Sequence, residues 1–131
     1  HHELLHVHPN FLHFQGHGSV EGLFFEDANG DKIRVSWEGL TSLLQAATSL
    51  RCVILNACHS ITLAKLHPRH FFLVTTPGET SIESTLNFTA GFYDALAANQ
   101  TIETSYHAGC NRMRLYGSSD AELPHLSEPH T

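Results

Sequence analysis

The chain has 131 residues, 41% hydrophobic and 15% charged, and carries a formal net charge of −6 with its histidines neutral. That length and apolar content suit one domain with a core, leaving no room for two and arguing against a disordered chain. The acidic balance argues against a nucleic-acid surface, and no apolar run approaches the roughly 18 residues of a membrane-spanning helix.

No charged-then-apolar leader is visible. Three cysteines, Cys52, Cys58 and Cys110, are too few and odd in number for a disulfide framework and fit a reducing compartment, the cytoplasm. There are twelve histidines; His1 and His2 can be read as a tag remnant and are set aside.

Residues Glu3 to His8 read as the end of an element entering a strand through Pro9. Phe11-Leu12-His13-Phe14 is a short apolar run between Pro9 and Gly16, a strand. Gly16-His17-Gly18 then brackets a histidine with glycines, the second of which lets backbone approach a ligand closely. Leu23-Phe24-Phe25 and Ile33-Arg34-Val35 flank Asp27-Ala28-Asn29-Gly30-Asp31, and Asn-Gly between apolar runs predicts a hairpin. Ser36 is placed to cap a helix over Trp37–Ala47, with Glu38 in its first turn and Trp37, Leu40, Leu43, Leu44 and Ala47 on one face.

Cys52-Val53-Ile54-Leu55 is unbroken apolar sequence, the pattern of a central parallel strand buried on both faces. Residues Ser60–Leu66 read as a short helix stopped by Pro68. Phe71–Thr75 reads as another strand, ended by Pro77-Gly78. Ser81 is placed to cap a helix reaching about Ala98, with Ile82, Leu86, Tyr93 and Leu96/Ala97 inward. Thr101 starts the last helix, where Ile102, Ser105/Tyr106, Gly109 and Met113 recur at helical period. Beyond Gly117, the polar tail with Pro124 and Pro129 reads as loop-like over about 118–131.

The alternation predicts a single α/β domain over residues 1–131: a mostly parallel sheet flanked by helices, with a β-hairpin after the histidine turn. Three central strands fall short of the usual five or six or so. Either the fold is small, or the chain is an N-terminally incomplete domain whose earlier strands belong elsewhere.

Two strand ends carry the residues with chemistry. In open α/β sheets ligands bind beyond the carboxyl ends of the strands. His17 follows one such end and Cys58 another, the latter after the small Ala57 and before a helix N-terminus that favours an anion. A free thiol titrates at about 8.5; a neighbouring histidine lowers that value and then serves as general acid. The backbone N–H groups of Gly18 and Cys58 are the candidate oxyanion hole of an acyl-transfer site. The plain alternative is that Cys58 is a packed hydrophobe and His17 a turn residue.

Phe14-Gln15-Gly16-His17-Gly18-Ser19 and Leu55-Asn56-Ala57-Cys58-His59-Ser60 resemble the histidine and cysteine motifs of the CHAT family, the caspase-like peptidases related to caspases, metacaspases and separases. The resemblance extends to Glu21-Gly22-Leu23-Phe24-Phe25-Glu26-Asp27, to Gly91-Phe92-Tyr93-Asp94-Ala95-Leu96 and to the closing helix around Ala108-Gly109-Cys110-Asn111. It covers most of the chain from about Pro9 to Leu126. It implies a caspase-like fold and a cysteine endopeptidase, with His17 as general base and acid and Cys58 as the nucleophile forming a thioacyl intermediate. It also implies a protein substrate, a sensor or adaptor partner, and an effector role in bacterial conflict or cell death. Two departures stand out: the βα units that precede the histidine strand in the family are missing here, and Thr75-Thr76-Pro77-Gly78 replaces a Gly-Met-like turn.

Asn56 occupies the position where basic-specific relatives carry an aspartate that binds the P1 cation. It is a candidate substrate-binding residue offering hydrogen bonds without charge, or alternatively a strand-end turn residue. His59 beside Cys58 projects elsewhere by the alternation of adjacent residues. A metal site from His13, His17, Cys58 and His59 lacks any CxxC or HExxH spacing, so neither metal nor cofactor is expected. Asp27, Asn29, Asp31 and Glu38 match positions of a calcium loop, but Lys32 stands where that loop needs glycine, and a hairpin turn fits better. Cys52 and Cys110, like Phe92 and Tyr93, read as core residues. The competing function is a catalytically inactive caspase-like module that binds partners through its surface; a redox-sensing thiol is the third reading and lacks a placed resolving cysteine. If strands are missing, an exposed sheet edge is expected to pair with another chain, the missing N-terminal segment or a second copy.

Overall fold

A computed structural model describes residues 10–15, 17–26, 29–56, 65 and 69–129. The helix expected over 60–66 falls, Lys65 apart, outside them. Strands β1 (Phe11–Gln15), β5 (Cys52–Asn56) and β6 (Phe72–Thr76) form a parallel sheet, with β7 (His125–Ser127) antiparallel on the outer side of β6. Strands β2 (His17–Gly18), β3 (Gly22–Glu26) and β4 (Lys32–Ser36) form a second, antiparallel sheet. Among the described residues there are three α-helices: α1 (Trp37–Ala46), α2 (Ile82–Ala97) and α3 (Ile102–Leu115). The expected α/β class with a mostly parallel sheet is therefore present.

The helices begin where the capping residues placed them. Ser36, Ser81 and Thr101 each accept a backbone N–H three residues on, at 3.0, 3.1 and 3.1 Å, satisfying one of the orphan donors of the first turn. The β3–β4 hairpin turns through Gly30, whose φ of 82° is cheap for glycine alone.

Side chains alternate across the sheet and so build two cores. On one face Phe14, Val53, Leu55 and Leu73 meet Trp37, Leu40 and Leu44 of α1, with Leu23 of β3 joining them. The Trp37 indole N–H also donates to the Ser19 carbonyl at 2.9 Å, tying the small sheet to α1. On the other face Cys52, Ile54 and Val74 meet Phe88 and Phe92 of α2 and Ile102, Cys110 and Met113 of α3. Helices α2 and α3 lie against each other so closely that a Cβ on Gly109 would sit 2.6 Å from the Phe88 ring.

Three expectations need correction. Ile82 and Leu86 do not face inward; they are 71% and 63% exposed. The buried stripe of α2 is Ser84, Thr85, Phe88 and Phe92, because Leu86 lies about 200° around the helix from Phe88 and the two aromatic rings offer more area to bury. The tail after Gly117 is not loop-like: a short 3-10 turn (Asp120–Glu122) leads to β7, with Val74 paired to Leu126. Pro124 does not prevent the strand, because a proline just before a three-residue edge strand costs no ladder hydrogen bond. Finally, His17 and Gly18 lie in a strand rather than a turn, because the β3–β4 hairpin offers them an edge to pair with.

Candidate functional site

The three parallel strands end level. Gln15 pairs with Asn56, and Asn56 with Thr76, in one row across β1, β5 and β6. This row is the carboxyl edge of the sheet, where α/β folds place ligands.

Asn56 is the hub of that row. It is a buried polar residue, 9% exposed, and both ends of its amide are engaged. Its Nδ2 donates to His13 Nε2 at 2.8 Å, and Thr76 Oγ1 donates to its Oδ1. A ring nitrogen that accepts is bare, so this arrangement is the one that neutral His13 makes with its proton on Nδ1, the tautomer setting which partner donates. The Tyr93 ring of α2 stacks beside His13, centroids 6.3 Å apart and planes 23° from parallel. His13 as a whole is exposed, but partial loss of water around the ring lowers its pKa below the ordinary histidine value.

The residues singled out from the sequence that the structure describes have these places relative to the row. Asn56 is in it, committed to two neighbours rather than free in a turn. His17 lies two positions after Gln15, its backbone paired with Phe24 in β2. Gly18 pairs with Leu23, and the next step of the ladder is marked by the Ser19 N–H donating to the Gly22 carbonyl at 2.8 Å. Bonded and non-bonded pairs alternate along an antiparallel ladder, so Gly18 is in a non-bonded pair and its N–H points away from β3. That is the orientation an oxyanion donor on β2 needs. Cys58 and its amide, like Gly16 and His59, lie outside the described residues; Cys58 follows Asn56 by two positions.

The other two cysteines are not candidates for the chemistry. Cys52 is 0% and Cys110 2% exposed. Burial pushes the Cys52 thiol up to about 12 and raises that of Cys110 as well, leaving both protonated and inert at neutral pH. Among the described residues no group of three or more His, Cys, Asp or Glu is placed to hold a metal ion.

His13 and Thr76 had not been assigned to the site from sequence. The signal was available for His13: two residues before Gln15 on β1, it alternates onto the same sheet face as Asn56 on β5. Thr76 needed the β5–β6 register, which sequence spacing does not give.

No protein-family model matches the chain, and no curated protein matches its sequence. Among the described residues no helix is long and apolar enough to cross a membrane.

Proposed function

We propose that the chain is a caspase-like cysteine endopeptidase domain, in which Cys58 attacks a peptide carbonyl and His17 handles the proton. The observation that carries the reading is the adjacency of β1 and β5. They are parallel neighbours, paired out to Gln15 and Asn56, so the segments leading to His17 and to Cys58 leave the same edge of the sheet from adjacent strands. A dyad drawn from two distant stretches of sequence needs this arrangement. The exclusion of Cys52 and Cys110 by burial leaves Cys58 for the nucleophile, and the Gly18 N–H pointing off β3 fits the oxyanion role.

In this mechanism the Cys58 thiolate adds to the scissile carbonyl. The Gly18 and Cys58 amides bind the oxyanion, and His17 protonates the leaving amine. Water, deprotonated by His17, then hydrolyses the thioacyl enzyme and releases the acid. The effector role in conflict or cell death, a protein substrate and a sensor or adaptor partner belong to the same proposal and rest on the motif resemblance.

The test is a peptidyl acyloxymethyl ketone applied to wild type, Cys58→Ala and His17→Ala. The expected outcome is labelling of wild type at Cys58, none at that position in Cys58→Ala, and labelling slowed by at least about 100-fold in His17→Ala, the scale of general acid–base assistance. Equal labelling of wild type and Cys58→Ala would sink the reading and favour the inactive, partner-binding module.

A further inference from the structure

The amide of Asn56 can be satisfied in two senses. A threonine hydroxyl donates or accepts, and an imidazole nitrogen accepts when neutral and donates when protonated. With neutral His13 the donors run from Thr76 to Asn56 Oδ1 and from Asn56 Nδ2 to His13 Nε2, the arrangement present in the structure. Adding a proton to His13 places an N–H against the Nδ2 of Asn56, two donors face to face. Turning the amide over relieves this: His13 Nε2–H donates to Oδ1, and Nδ2–H donates to the Thr76 hydroxyl, whose own proton swings away. Every member remains bonded, so the amide follows the charge on His13.

We propose that His13 is a positioning residue of the strand-end site, one whose protonation reverses the Asn56 amide two residues before Cys58. The consequence for a substrate rests on the peptidase reading; the reversal itself does not. In the neutral state the amide presents its NH2 on the β1 side, the side from which the segment to His17 departs. In the protonated state it presents its carbonyl oxygen there. A group bound at the mouth of β1 and β5 therefore meets a hydrogen-bond donor above the His13 midpoint and an acceptor below it.

Among the described residues few other titratable groups face His13. From α2 the facing group is Tyr93, whose pKa is raised by burial and by Cys52. From β5 it is Cys52, on the same sheet face and held protonated. Val74 and Thr76 of β6 do not titrate. Arg51, one position before β5, lies over the Phe11 ring at 5.7 Å, toward the opposite end of β1 from the level row. Burial, which lowers the His13 pKa, keeps the neutral arrangement dominant at neutral pH.

Imidazole nitrogen shifts from the full 15N-labelled chain test the relay directly. At pH about 7.5 His13 should carry its proton on Nδ1, and its midpoint should fall below about 6.5. Asn56→Asp supplies a carboxylate that accepts from both neighbours and should raise that midpoint by at least about one unit. A proton found on Nε2 at pH about 7.5, or a midpoint unmoved by Asn56→Asp, would overturn the relay. The positioning role is read from the pH profile of acyloxymethyl ketone inactivation. Wild type should lose about tenfold in rate through the His13 midpoint. His13→Gln, whose side-chain carbonyl accepts from Asn56 at every pH, should start from a reduced rate and lack that step. Identical profiles would overturn the role. If no form is labelled at Cys58, the peptidase reading falls and takes the positioning role with it, while the nitrogen shifts still decide the relay.

Discussion

The two faces of the central sheet are built from different materials. On the α1 face the strands present Phe14, Val53, Leu55 and Leu73 to Trp37, Leu40 and Leu44, with the buried Thr75 beside Leu55 near the carboxyl edge. On the α2–α3 face the same strands begin in apolar contacts with Phe88 and Phe92 and turn polar toward the carboxyl edge, where Asn56 holds His13 of β1 and Thr76 of β6. Packing dominates the first face, where an apolar set of the right shape serves. The second gives up apolar area at the edge where ligands bind and replaces it with groups that must satisfy each other. Both faces carry an apolar core, and the polar contacts of Asn56 lie at the carboxyl end of the second.

That contrast can be broken by substitution. The largest effect belongs to the α1 face: Leu55→Ala, in a side chain 0% exposed, should cost about 2–5 kcal/mol in urea unfolding. A loss under about 1 kcal/mol would mean this face is not the main core. On the other face Asn56→Leu should cost about 1–3 kcal/mol, because it removes the Asn56 acceptor from the buried Thr76 hydroxyl. Adding His13→Leu and Thr76→Val should recover most of that loss, since an apolar set has no partners to miss. If the triple variant is no more stable than Asn56→Leu, the relay is not what the single change broke.

A smaller difference follows from pH. A histidine whose folded pKa is depressed binds fewer protons folded than unfolded below about 6.5, so its contribution to stability is full above that value. It is lost as the pH falls through the folded midpoint. Wild type should therefore lose more stability than His13→Gln between about pH 7 and 5, in unfolding curves taken across that range; parallel pH dependences would contradict the depressed value. The smallest effect is expected at Ile82 and Leu86, on the outer side of α2. Glutamate at either should change stability by no more than about 0.5 kcal/mol, whereas a cost of several kcal/mol would restore the inward orientation read from sequence.

Much of this architecture can be read along the chain because local rules and global fold agree. The unbroken Cys52–Leu55 run marks a strand covered on both faces. Ser36, Ser81 and Thr101 mark helix starts, and Asn29-Gly30 marks the hairpin. Reading fails where one stretch supports two answers. Helix α2 carries apolar residues all round, so its period does not say whether Leu86 or Phe88 turns inward; contact with the sheet and α3 decides. His125-Leu126-Ser127 is too short to announce a strand, and only the free side of β6 makes it one. The partners of Asn56 come from β1 and β6, distant in sequence, and depend on the strand order. His17 and Cys58 read from sequence as residues just beyond strand ends, and the β1–β5 pairing sets the ends of those two strands, Gln15 and Asn56, side by side.

The account stands on that common edge serving a working dyad. The direct measurement is the pH dependence of Cys58 alkylation by iodoacetamide, followed by mass spectrometry, in wild type and His17→Gln. The buried Cys52 and Cys110 should react far more slowly. The account predicts a Cys58 midpoint at least about one unit below the free thiol value of about 8.5 in wild type, rising to that value in His17→Gln. The same midpoint in both proteins would contradict it.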